Sequence, residues 1–236
     1  MTVSGAPMSS ADITGKWKDC NSAVSKPSVY PTELKAADIA ASPPELVTIQ
    51  AGADDIDFAG CLEYALGAPG IVGGVKCNEG NSVTPAIASR LARVTSALER
   101  TISSIETESK GTTKIAVVNY YLPIPAPSVF RSDGSQLCTL LDAHKSGAYH
   151  DAEVIQSALN AAIVKAVAAS PGVKLVDIGS LLGGPGTGRE AHQMCTAHPW
   201  LFTGSELDGQ FWRAVHPTAA GQAAIAVAVE AVVGPA

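Results

Sequence analysis

Residues 84–120, TPAIASRLARVTSALERTISSIETESKGTTKIAVVNY, read in order as a helix, a stop and a strand. Thr84 offers an N-cap hydroxyl, and Pro85 fits the first turn, where a missing N–H costs nothing. Ile87, Leu91, Val94, Leu98, Ile102 and Ile105 then recur at three- and four-residue spacing, so the helix carries one apolar stripe. Gly111 ends it. Ile115-Ala116-Val117-Val118-Asn119-Tyr120 is the strand that follows.

The same grammar extends in both directions. Leu46-Val47-Thr48-Ile49-Gln50 reads as a buried strand closed by Ala51-Gly52, and Ile56 to Leu66 as a helix. Ala152 to Ala169 is a second amphipathic helix carrying Ile155, Leu159, Ile163 and Val167. Pro171-Gly172 breaks it, and Val173 to Ile178 is a third strand. A final helix is expected from about Pro217 to Val233. Strands alternating with long helices imply a parallel sheet with helices on its faces. Residues 1–44, rich in Pro and Gly, read as irregular apart from a short helix within Thr32 to Ala41. There is no internal repeat and no separating linker, so one domain is expected over residues 1–236.

Composition narrows the classes. At 46 % hydrophobic and 16 % charged residues, the 236-residue chain is globular rather than disordered. A net charge of −6 without a Lys/Arg-rich run argues against nucleic-acid or anionic-membrane partners. No apolar stretch is long enough for stable membrane insertion. The first residues are not those of a signal peptide, which suits a mature or truncated form, or a cytoplasmic product if Met1 is the true start.

His216 stands immediately before Pro217 at the entry of the last helix. An imidazole at such a loop mouth, with its ordinary pKa near neutrality, is a candidate general base. Cys61 and Cys77 would close a glycine-rich loop if paired, and Cys138 with Cys195 would make a second bridge, leaving Cys20 over. Five buried, reduced thiols are the other reading. His192, Cys195 and His198 lie at metal-like spacing, but no second ligand pair stands nearby, so no metal or other cofactor is expected. Asp54, Asp55 and Asp57 suit a cation or, equally, a turn before a helix. The glycine loop at residues 183–188 lacks the Lys-Ser/Thr ending of a phosphate loop.

Several segments together resemble the SGNH (GDSL) hydrolase superfamily, specifically its secreted actinobacterial esterase and lipase branch. Gly52-Ala53-Asp54-Asp55 resembles the Gly-x-Asn-Asp turn that follows the family's third strand. Cys195-Thr196-Ala197-His198-Pro199-Trp200 resembles its late cysteine–tryptophan segment. His216-Pro217-Thr218-Ala219-Ala220-Gly221 resembles its final His-Pro-Thr-x-x-Gly, and Tyr30-Pro31 its loop after the first strand. The resemblance implies a three-layer α/β/α sandwich with a flavodoxin-like parallel sheet and loops of the site at the C-terminal ends of the strands. It implies a serine nucleophile activated by His216, an oxyanion region at Gly52 and Asp54, and Cys195 in a disulfide. A small ester or lipid substrate and a secreted or cell-envelope location follow from the same resemblance.

The chain departs from that pattern in ways that bear on chemistry. It has no Gly-Asp-Ser, and Ser4 is the nearest substitute hydroxyl. The family's first two strands are expected to be lost or remodelled, which would expose the edge of Leu46 to Gln50; either residues 1–44 cover that edge or two chains pair along it as a homodimer. Asp54 replaces the family's oxyanion asparagine, and a carboxyl can donate there only when protonated. Arg213 stands where an aspartate often orients the histidine, so a backbone carbonyl near Trp212 or Arg213 is the expected orienting group. Two functions therefore stand: an ester hydrolase using His216, or a catalytically inactive descendant that keeps only a binding cleft.

Overall fold

A computed structural model describes residues 2–4, 17–18, 29–30, 39–67, 75–203 and 215–234. Its strands are β1 (Thr2–Ser4), β2 (Trp17–Lys18), β3 (Val29–Tyr30), β4 (Leu46–Gln50), β5 (Asn78–Glu79), β6 (Ser82–Val83), β7 (Lys114–Val118) and β8 (Lys174–Val176). Its helices are α1 (Phe58–Ala65), α2 (Pro85–Glu108), α3 (Gln136–Ala168) and α4 (Ala219–Val233). One four-stranded sheet runs β1-β4-β7-β8 with every pair parallel. β2 with β3, and β5 with β6, form separate antiparallel pairs.

The layers follow from the side-chain alternation of β7. Ile115 and Val117 turn toward α2 and α3, joining Val47 and Ile49 of β4 in the main core. Ala116 and Val118 turn the other way, to Val176, Ile178 and the Ile225–Val229 face of α4. A strand buried on both faces must be apolar at every position, which is why residues 115–118 show no polar alternation. The α2 stripe fills its side of the sheet: Leu98, Ile102 and Ile105 are at most 1 % exposed. Each such side chain contributes about 1.5–3 kcal/mol by leaving water. The result is the three-layer α/β/α arrangement.

Local chemistry sets the boundaries. Thr84 Oγ1 accepts the Ile87 N–H at 3.4 Å, and Pro85 follows in the first turn. α3 begins 16 residues before the expected Ala152, capped by Ser135, whose Oγ accepts the Cys138 N–H at 3.2 Å. Its early turns carry fewer apolar residues, but Cys138, Leu141, Ala148 and Ala152 meet Leu62, Leu66, Ile124 and Phe130 in a second core. Tertiary packing thus carries the helix through Gly147, where propensity alone argues against it. α4 starts later than expected. Thr218 is its cap, and Pro217 is not in the first turn but bridges to Leu201.

The N-terminal region also corrects the reading of 1–44 as irregular. Thr2–Ser4 is a strand of three residues, and it pairs with β4 in the register Thr2↔Thr48 and Ser4↔Gln50. The β4 edge is therefore covered from within the chain, by the first of the two expected routes. Most of the helix expected within Thr32 to Ala41 lies outside the described residues, and Ile39 to Ala41 form a turn.

Two disulfides cross the helical layers. Cys61 on α1 is joined to Cys77, and Cys138 at the start of α3 to Cys195, with separations of 16 and 57 residues. Cys20 lies outside the described residues. A cross-link stabilises chiefly by restricting the unfolded chain, more for a longer loop. Replacing both Cys138 and Cys195 by Ala should cost about 2–4 kcal/mol in urea unfolding, and more than replacing Cys61 and Cys77. A smaller loss from the 57-residue loop than from the 16-residue loop would contradict that account.

Candidate functional site

The parallel strands all end at one edge, and the loops at that edge hold the candidate site. After β4 the chain turns at Gly52, whose φ is +114°. A Cβ there would stand 2.8 Å from Val94 Cγ1, so both backbone angle and space require glycine. Ala53 then donates its N–H to Tyr120 Oη at 3.4 Å. Asp54–Ile56 form a single 3₁₀ turn, closed by the Asp57 N–H to Asp54 O at 3.1 Å. Asp57 faces Arg90 of α2 at 4.0 Å.

The second half of the site precedes α4. The His216 carbonyl accepts the Phe202 N–H at 2.9 Å, and Val215 returns its N–H to Phe202 O at 3.3 Å. Thr218 binds Trp200 O twice, by its N–H at 2.8 Å and its hydroxyl at 3.0 Å. The Thr218 Oγ1 also caps α4 by accepting the Gly221 N–H. Gly221 lets the helix come this close, since a Cβ would lie 2.5 Å from Trp200 O. Tyr121 donates its phenol proton to Val215 O at 3.0 Å. Val215 itself has φ +61°, a conformation unfavourable for a β-branched residue. His216 is thus an exposed imidazole on a firmly bonded backbone.

The two halves meet through their charges. The Asp54 carboxyl is pushed above its usual pKa, first by partial burial, then by Asp55, with a smaller push from Asp57. His216 acts in the opposite sense and pulls it back down. Asp54 and His216 are therefore near enough for the charge of one to act on the other. Asp54 is itself solvent-exposed, so its desolvation is partial.

Residues 119–121 lie between these halves and were not singled out in the sequence. The Asn119 N–H donates to Val176 O at 3.2 Å, and its carbonyl accepts Gln50 Nε2 at 2.9 Å. Its amide oxygen accepts the Ile178 N–H at 2.7 Å, and its amide nitrogen donates to Asp177 at 2.8 Å. The Tyr120 N–H donates to Asn160 Oδ1 at 2.9 Å. Its carbonyl accepts from Gln156 Nε2 at 2.6 Å and Asn160 Nδ2 at 2.8 Å. The available signal was Gln156 and Asn160, two amides one helical turn apart on the otherwise apolar inner side of α3.

The remaining candidate residues, and the histidines expected to lie outside the site, fall as follows. Ser4 closes β1 at the same sheet edge, opposite Gln50. Trp212 and Arg213 lie outside the described residues. The Cys195 sulfur is bonded to Cys138 and is no thiolate ligand. His192 stacks on Trp200 at 3.8 Å between ring centroids, with Nδ1 2.7 Å from His198 O. His198 faces Glu190 at 3.6 Å. His150 Nε2 sits 3.3 Å from Gly80 O, and His144 is exposed. Among the described residues no cluster of three metal-ligating side chains occurs.

Neither a protein-family model nor a curated protein matches the chain. Its fold is similar to that of an extracellular lipase from Streptomyces rimosus, in a crystal structure with a TM-score of 0.52. The match has 20 % sequence identity and covers 83 % of this chain and 75 % of that one. The likeness is one of fold: a parallel sheet flanked by helices, as in a lipase.

Asp54 yields a test with a defined sign. Its folded pKa lies above the unfolded value, so its contribution to stability is present at acid pH and lost as pH rises through the folded value. Asp54→Asn should equal the wild type near about pH 3 and become relatively more stable toward about pH 7 in chemical unfolding. A variant that loses ground as pH rises would rule out the upward shift.

Proposed function

We propose that the chain hydrolyses a small ester or lipid by a serine–histidine mechanism of SGNH type, at the edge shared by Gly52, Asp54 and His216. The observation that carries this reading is the exposed His216 on a bonded loop, close enough to Asp54 for their charges to interact. A serine hydroxyl from the N-terminal segment, with Ser4 as the assigned candidate, attacks the ester carbonyl and passes its proton to His216. The carbonyl oxygen becomes an oxyanion, which the Gly52 N–H and a protonated Asp54 would steady. The alcohol leaves with the proton from His216, and water then releases the acid by the same path.

The lipase fold neighbour supports the ester or lipid substrate class. That neighbour's extracellular nature, together with two disulfides, supports a secreted or cell-envelope location. Among the described residues no helix is long and apolar enough to cross a membrane. The net charge of −6 supports a substrate other than nucleic acid.

Asp54 favours a second reading, a catalytically inactive descendant retaining a cleft, because an ionised carboxylate repels a developing oxyanion. A fluorophosphonate probe separates the two. Labelling of one serine, mapped by mass spectrometry and lost in His216→Ala, is the outcome expected for the hydrolase, with ester turnover falling at least about a hundredfold in that variant. An unlabelled protein with an intact circular dichroism spectrum establishes the inactive reading instead.

A further inference from the structure

Two adjacent tyrosines each bond to the residue just before a site residue. The Tyr120 phenol oxygen accepts the N–H of Ala53, which precedes Asp54. The Tyr121 phenol donates to the carbonyl of Val215, which precedes His216. Neighbouring residues in extended chain point to opposite sides. Accordingly, Tyr120 packs against the α2–α3 core, whereas Tyr121 packs against the second core and the α4 face. Their shared backbone is held from α3 by Gln156 and Asn160.

We infer that Tyr120 and Tyr121 are positioning residues that act as one clamp, setting the separation of Asp54 and His216 across the end of β7. The inference rests on the ester-hydrolase reading for its kinetic consequence alone. Ala53 and Val215 stand far apart along the backbone, on loops that leave β4 and enter α4, so their spacing depends on what stands between them. Val215, in the left-handed region, is stabilised there by Tyr121 on its carbonyl side and by Phe202 on its N–H side. Burial raises both phenol pKa values above the usual range, so each hydroxyl stays neutral and keeps its bond while the site titrates.

The direct test reads how strongly His216 acts on Asp54. His216 lowers the Asp54 midpoint and Asp55 and Asp57 raise it, so His216→Gln should move the carbon-13 titration of the Asp54 carboxyl upward. In Tyr120→Phe or Tyr121→Phe that displacement should shrink by at least about half, and the double variant should add little to either. Ile102→Val, which loosens the main core away from the site, should leave it unchanged. An undiminished displacement in both Phe variants overturns the clamp, as does an equal loss in Ile102→Val. Fluorotyrosine at each position, which alters the hydroxyl and keeps the ring, replaces any Phe variant that does not fold. If the wild type is active, either Phe variant should lower kcat about tenfold with KM within about twofold. Absence of probe labelling in the wild type removes the hydrolase reading and leaves the titration to decide the clamp.

Discussion

Four backbone groups, the N–H and C=O of Asn119 and Tyr120, hold the layers together where β7 runs out. A parallel strand that ends inside a three-layer fold leaves polar peptide groups without ladder partners, and each one left unmet in the interior costs about 1–3 kcal/mol. Here every group has a partner, and the partners come from three elements: Val176 on β8, Gln50 on β4, and Gln156 and Asn160 on α3. The joint therefore satisfies the strand end and fixes three elements relative to one another. Loops leaving β4 and approaching α4 inherit their positions from it.

That joint also steadies the loops that carry the candidate site. Side chains on a rigid element can be placed more tightly than side chains on a free loop. Both Asp54 and His216 are on loops, yet each loop is bonded back to the segment that follows β7. Gly52 and Gly221 make the close approaches sterically feasible, one against Val94 and the other against Trp200. The oppositely signed effects of Asp55 and His216 on Asp54 are a consequence of this crowding.

Much of the fold was legible because apolar periodicity reports which faces are covered. The strand Leu46–Gln50 and the helix beginning at Thr84-Pro85 were readable from local chemistry alone. α3 was read too short because its first half packs on a second core through sparse contacts that no local pattern announces. β1 escaped notice for a different reason: three residues are too few to show periodicity, and their pairing partner lies more than forty positions away. At the site, His216 was visible as a histidine before a helix, while Tyr120 and Tyr121 looked like ordinary strand residues. Their role depends on where two distant loops arrive, which is a property of topology and not of the tyrosines' own neighbourhood.

His216 is held at the sheet edge by the Tyr121 bond to Val215, by the ladder joining residues 200–202 to 215–218, and by the start of α4. All four strands of the sheet precede it in the chain. During synthesis, the sheet can thus be complete while the imidazole is still inside the ribosome. Whatever reactivity the finished edge possesses is withheld from the nascent protein until its last helix has docked.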